Sequence, residues 1–372
     1  MPKAIVNVPY VDIAGQHASL KSELLEAIGR ILDGGQFVLG PEVERFEEAF
    51  TEISSAKYAL GLNSGTDALI LGLKALGIGP GDEVITAPNS FIASAAAIAH
   101  VGAKPIFIDV RNDYNMNPDL IEGAVTKHTK AIMPVHLTGR PADMDPIIDV
   151  AERRGLFIVE DAAQAVLASY RDRKVGSFGE FGCFSLHPLK TLNACGDGGV
   201  ITTNDSRLFD KIQLLRNHGL KTRDACDVWG FNSRLDSFQA AILLVKLKYL
   251  EEWTELRRDN AKIYQTELVD IPGISVPHDK DHERAVYHTF VIQAERRDEL
   301  KQFLIQRGIG TSIHYPIPIH LQKAAEYLGW REGSFPIAEQ QAKRILSLPV
   351  YPGLTRGQLE YVADAIRQFY KA

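Results

Sequence analysis

Between residues 58 and 203 short runs of apolar, β-branched residues alternate with segments of helical spacing, and this alternation restricts the fold more than any other feature of the chain. The strand-like runs are residues 58–62, 83–87, 105–110, 131–135 and 157–160, with helical patterns at 68–75, 92–100, 118–124 and 144–153 between them. Strands that are apolar on both sides need cover on both faces, and strands joined through helices run parallel. The spacing predicts an α/β fold built on a mostly parallel sheet. Residues 182–186 and 199–203 follow as two more strands around a glycine-rich turn, which fits an added hairpin.

Two amphipathic helices precede the alternation, one over residues 20–32 that stops at Gly34-Gly35 and one over 43–50 after Gly40-Pro41. A long helical pattern from Asp236 to about Glu267 leaves it again. Beyond Pro272-Gly273, strand patterns at 289–293 and 311–315 and helical patterns at 298–307 and 356–370 predict a smaller α+β domain. The expected limits are residues 1–250 for the large domain and 251–372 for the small one.

Charge excludes one class of partner. The chain carries 41 Lys and Arg against 47 Asp and Glu, a net of −6 spread along its length, so nucleic acid is not an expected partner. Apolar residues at 45% suffice for large cores without covalent staples. The three cysteines, Cys183, Cys195 and Cys226, have no CxxC spacing and suit a reducing compartment, the cytoplasm; no metal is expected. The most apolar stretch, residues 91–103, is interrupted by Ser94 and His100, and the first 16 residues lack a signal-peptide pattern. Neither a membrane span nor a secretory leader is expected.

In open α/β sheets ligands gather at the carboxyl ends of the strands. Three such places carry polar residues. Asn63-Ser64-Gly65-Thr66-Asp67 joins a strand to a helix; it reads either as an anion site at the helix N-terminus or as an ordinary helix cap. Residues 157–164 form an apolar strand that delivers Glu160 and Asp161 to the sheet edge, where Asp161 either meets a positive group or caps the next helix. The third, Ser185-Leu186-His187-Pro188-Leu189-Lys190 before Gly196-Asp197-Gly198-Gly199, offers an amine that either snorkels to solvent or enters a pocket. Neither G-x-x-x-x-G-K-[ST] nor G-x-G-x-x-G is present at the first place.

If the three converge, they supply what pyridoxal 5'-phosphate requires: donors for its phosphate, a carboxylate for its pyridine nitrogen and a lysine for a Schiff base. Burial would also lower the lysine's pKa from about 10.4, so that its free amine could move a proton between carbon atoms.

The segments Ser64-Gly65-Thr66-Asp67-Ala68-Leu69, Glu160-Asp161-Ala162-Ala163-Gln164, Ser185 to Lys190 with Gly196-Asp197-Gly198-Gly199, and Asn232-Ser233-Arg234-Leu235-Asp236 together resemble the DegT/DnrJ/EryC1/StrS family of sugar aminotransferases. The resemblance runs from Val8-Pro9 and Phe37-Val38-Leu39-Gly40 to His314-Tyr315-Pro316 and Leu348-Pro349. It implies an aspartate-aminotransferase-like fold, fold type I of the pyridoxal phosphate enzymes. By the same resemblance Lys190 links to the cofactor, Asp161 binds the pyridine nitrogen and Gln164 hydrogen-bonds the ring's phenolic oxygen. Gly65, Thr66 and Ser185 hold the phosphate, and Phe91 stacks on the ring, where otherwise it would be a core aromatic. Asn232 is implied to reach the phosphate of a neighbouring subunit, making a homodimer with shared active sites. Arg234, His314 and Tyr315 resemble substrate-contacting positions.

The activity so implied is transfer of an amino group from L-glutamate to a nucleotide-linked keto-sugar in deoxyamino-sugar biosynthesis. Some relatives carry histidine in place of the lysine and dehydrate instead; Lys190 is present here. The segment Val8 to Asp12 and the surroundings of Lys190 look more like members that act on 3-keto-6-deoxy sugars than on 4-keto ones. Two alternatives stand beside this: a carbocyclic ketone as acceptor, and a non-catalytic regulator that keeps the fold.

Overall fold

A computed structural model describes residues 7–371; residues 1–6 and 372 of the expected domain limits and leader-free start lie outside the described residues. The alternation folds into a seven-stranded sheet. Its order across the sheet is Tyr58–Leu62, Gly199–Thr203, Phe181–Ser185, Phe157–Asp161, Thr129–Ile132, Glu83–Thr86 and Lys104–Phe107. Phe157–Asp161 runs parallel to Phe181–Ser185 and to Thr129–Ile132, and the remaining inner pairs are parallel too. Only Gly199–Thr203 runs against the other six, antiparallel to both its neighbours. The expected hairpin is therefore inserted between two parallel strands rather than added at the edge.

The insertion depends on glycine. A Cβ on Gly199 would lie 2.3 Å from the carbonyl carbon of Ser64, so only a bare backbone passes between the first strand's end and the hairpin. On one face Leu69, Ile98 and Ile212 of three helices pack on Leu62, Val84, Val159 and Ile201. On the other, Phe46 and Phe50 meet Ala59, Phe184 and Val200, while Ile147 meets Ile132 and Ile158. A separate core joins Val8 to residues between Ala261 and Phe369, around the antiparallel strands Phe290–Ala294 and Ile345–Leu348.

Two expectations are corrected. The single long helix is two, Ser237–Leu247 and Leu250–Leu268. No glycine or proline marks the break; the turn is held from outside, where Lys248 and Tyr249 both donate to Glu23 of the helix Lys21–Gly34. Residues 311–315 are not a strand. Ser312 makes one isolated bridge to Ser347, and Pro316 and Pro318 prevent a ladder from continuing. The strand that pairs there is Ile345–Leu348, buried along its whole length.

Glu160 and Asp161 also part company, because successive residues on a strand face opposite ways. Glu160 is fully buried beneath the sheet, where its carboxylate accepts the N–H groups of Gly176, Phe178 and Gly179 at 2.7–3.0 Å. It also accepts from His136 Nε2 at 3.1 Å, and His136 Nδ1 accepts the Ala142 N–H, which fixes the imidazole tautomer. Glu160 is thus a structural clamp and not a second carboxylate of the pocket. Glu160→Gln sets an amide NH₂ against backbone donors and should destabilise the fold by about 3 kcal/mol. Urea unfolding checks this, and an unchanged midpoint would contradict the clamp.

Candidate active site

The first, fifth and sixth strands in chain order of the parallel set end at the same sheet edge, and their following residues close around one cavity of about 420 Å³. Ser64, Gly65, Thr66, Phe91, Asp161, Gln164, Ser185, Lys190, His314 and Tyr315 all line it. That volume falls in the range of sites that enclose a small organic ligand.

Lys190 reaches the cavity from the turn after Phe181–Ser185, where its N–H donates to the His187 carbonyl at 2.8 Å. The residue keeps some surface open to the cavity, but protein crowds its amine and desolvation lowers the pKa to about 8; the Asp161 charge opposes this more weakly. Protons on nearby imidazoles are disfavoured in turn. Burial, and then the charge of Lys190, bring His314 down to about 4 and hold His288 well below the ordinary range.

Asp161 is buried at the end of its strand. Its Oδ2 accepts the Ser94 hydroxyl at 2.6 Å and its Oδ1 accepts the Ala163 N–H at 3.2 Å. Ser64 caps the helix Gly65–Ala75 by accepting the Asp67 N–H at 3.1 Å, so cap and anion cradle coexist: the first two N–H groups, of Gly65 and Thr66, remain for a ligand. A Cβ on Gly65 would lie 2.8 Å from the Ser185 Cβ, so this glycine lets the Ser185 side chain close on the helix end. Phe91 is no core residue. It is 54% exposed on the cavity wall, its ring 5.5 Å from that of Tyr315.

Gln164 Oε1 accepts the Thr138 N–H at 2.7 Å, and its amide nitrogen donates to the Tyr315 hydroxyl at 3.4 Å. Burial pushes that hydroxyl up to about 12. His314 Nδ1 is 2.9 Å from the Ser347 hydroxyl. Asn232 and Arg234 do not line this cavity: Asn232 bridges Asn217, and Arg234 donates to the Asn217 side chain at 3.1 Å. Sequence reasoning missed Ser94, Tyr10, Arg257, His288 and Thr289, which bound the same space or its carboxylate. It left His187 without a role; His187 Nδ1 accepts the Leu189 N–H at 3.3 Å and shapes the turn that carries Lys190.

An unpaired amine, a buried carboxylate opposite it, a helix end with free donors and an aromatic wall match the four parts of pyridoxal phosphate, and the residues fit the group. Such a cavity on this sheet defines a fold type I pyridoxal phosphate enzyme. A family model described as the DegT/DnrJ/EryC1/StrS aminotransferase family matches residues 18–367, and the chain belongs to that family. It is 44% identical over 369 residues to the pleiotropic regulatory protein of Geobacillus stearothermophilus, covering 98% of this chain and 99% of that one. It is also 44% identical over 363 residues to the dTDP-3-amino-3,4,6-trideoxy-alpha-D-glucose transaminase of Streptomyces venezuelae, covering 97% and 96%. The crystal structure of S. venezuelae DesV in complex with ketimine intermediate superposes with a TM-score of 0.96 at 43% identity, over 98% of this chain and 99% of that one. Among the described residues no helix is long and apolar enough to cross a membrane.

Only the neutral amine attacks an aldehyde, and Lys190 is protonated below a pKa of about 8. Uptake of pyridoxal phosphate by the cofactor-free protein, followed by its visible absorbance, should therefore speed up as pH rises to about 8 and level off above it. A rate that climbs on toward the ordinary lysine value near 10.4 would contradict the desolvated amine.

Proposed function

We propose that this aminotransferase moves an amino group from L-glutamate to the 3-keto carbon of a nucleotide-linked 3-keto-6-deoxy sugar, acting as a cytoplasmic homodimer with shared active sites. The observation that carries the reading is the meeting of Lys190, Asp161 and the Ser64–Thr66 helix end on one cavity. Pyridoxal phosphate supplies the aldehyde that receives the amine and a ring that accepts electron density.

The chain does the rest. Gly65 and Thr66 N–H groups with the Ser185 hydroxyl bind the phosphate, where the helix dipole favours negative charge. Asp161, held by Ser94, keeps a proton on the pyridine nitrogen. Phe91 and the Ala163 side fix the ring plane, and Gln164 meets its phenolic oxygen. The free amine of Lys190 would move one proton in each half-reaction, taking it from the donor's α-carbon in the first and delivering it to the acceptor's carbon in the second. Glutamate leaves as 2-oxoglutarate and the keto-sugar leaves as an amino sugar, so the two halves balance.

Position 3 is supported by the relative named for a 3-amino sugar product. The relative named as a regulatory protein supports a second reading, a sensor that keeps the fold; the unpaired Lys190 facing Asp161 favours catalysis over it. Absorbance spectra decide between them. Glutamate should bleach the visible band of the holoprotein, and a dTDP-linked 3-keto-6-deoxy sugar should restore it. Restoration by a 4-keto sugar or an inosose alone would reassign the acceptor, and no change with glutamate or any other amino acid would leave the regulator.

Three variants test the site. Asp161→Asn should lower turnover by at least about 100-fold, since a neutral amide cannot hold the ring's positive nitrogen; a near-normal rate removes that role. Asn232→Ala and Lys190→Ala proteins, each inactive alone, should regain activity when their subunits are mixed and exchanged. Mixed dimers without activity would count against a shared site.

A further inference from the structure

Among the described residues three arginines are almost completely buried, Arg140 at 4% exposure, Arg216 at 6% and Arg257 at 5%. The first two are neutralised. Arg140 bonds Glu283 at 2.7 Å and Asp279 at 3.2 Å, and Arg216 is paired with Glu47. Arg257 has no such partner: its contacts are two long ones, 3.5 Å from Nη1 to the carbonyls of Tyr287 and His288, and its Nε is unbonded. Among the described residues no carboxylate pairs with it, and the Tyr10 hydroxyl near it is pushed up by burial and stays uncharged.

Arg257 sits on the inward face of the helix Leu250–Leu268, in line with Leu250, Trp253, Ala261 and Tyr264, where an apolar residue would otherwise stand. It lines the active-site cavity. Beside it the cavity also receives His288 and Thr289, and both His288 Nδ1 and Thr289 Oγ1 are buried without a hydrogen-bond partner. A lone buried guanidinium costs several kcal/mol unless an anion reaches it. Three unspent polar groups on one wall are therefore arranged for a ligand that carries negative oxygen atoms.

We propose that Arg257 and Thr289, with His288 beside them, form the subsite for the α-carboxylate of the amino donor. This rests on the transaminase reading above. The chemistry alone would also accept a phosphate of the nucleotide, and proximity decides. Lys190 and Arg257 are both close enough to depress the His288 imidazole, so the subsite adjoins the amine that moves the proton. An α-carboxylate is one bond from the carbon whose proton moves. A nucleotide diphosphate is attached at C-1, two carbons from a 3-keto group. Planar, forked guanidinium also matches a carboxylate with two parallel hydrogen bonds.

The test is binding without turnover. Glutarate, a dicarboxylate that cannot react, and dTDP are titrated separately by calorimetry into the holoprotein and its Arg257→Gln, Arg257→Lys and Thr289→Val variants. Arg257→Gln should weaken glutarate at least 20-fold, Arg257→Lys should recover part of that, Thr289→Val should weaken it several-fold, and dTDP affinity should stay the same. Thr289→Val keeps the side-chain shape and so reports even if the arginine variants fail to fold. Loss of dTDP affinity in place of glutarate would assign the subsite to the nucleotide and overturn the proposal. Equal glutarate affinity in all proteins, or no glutarate binding by any, would overturn it as well. A sound result here with no amino transfer from glutamate would instead fault the activity reading alone.

Discussion

Six of seven strands in the main sheet point the same way, and everything chemical in this protein follows from that alignment. Parallel strands return their carboxyl ends to one edge. Residues from distant stretches of the chain, such as Ser64, Asp161 and Lys190, then need only short turns to reach one cavity. The single reversed strand, Gly199–Thr203, does not spoil the arrangement, because it contributes its amino end to that edge. Its first residue has no side chain, and that gap lets the start of the helix Gly65–Ala75 lie directly on the hairpin.

The alternation and the motifs were legible because they obey local rules. Continuous apolar strands, a serine helix cap and a glycine where backbones touch are all written in consecutive residues, and the three polar places could be found as strand ends. What escaped depends on partners far away in sequence. The break at Lys248–Tyr249 is made by Glu23, over 220 residues earlier, so no local residue announces it. The misread strand at 311–315 has suitable residues and borders Ile345–Leu348, but the prolines that follow hold it to the single bridge between Ser312 and Ser347. Ser94 looked like a small residue on an apolar helix, and only the fold brings it to Asp161. Arg257 did leave a trace, a cation at a core position of an amphipathic helix, though Arg258 beside it gives the stretch the pattern of a charged surface.

Two imidazoles of the cavity, those of His288 and His314, stay uncharged. His288 and His314 both lie beside Lys190, and each is kept neutral by burial more than by its neighbour. The positive charge on this wall therefore belongs to Arg257, which burial lowers only to about 10, and so persists at any physiological pH. Asp161 borders the same cavity.

Glu160 and Asp161 give the strand Phe157–Asp161 two unrelated duties on its two sides. One side chain fastens the segment 176–179 from below, and the other works in the cavity above. A slip of the strand by one position would exchange these duties, placing the fastener in the cavity and burying the working group. A residue inserted into or deleted from the strand would therefore disrupt both sides at once, whereas a change in the length of the flanking loops would leave its register intact.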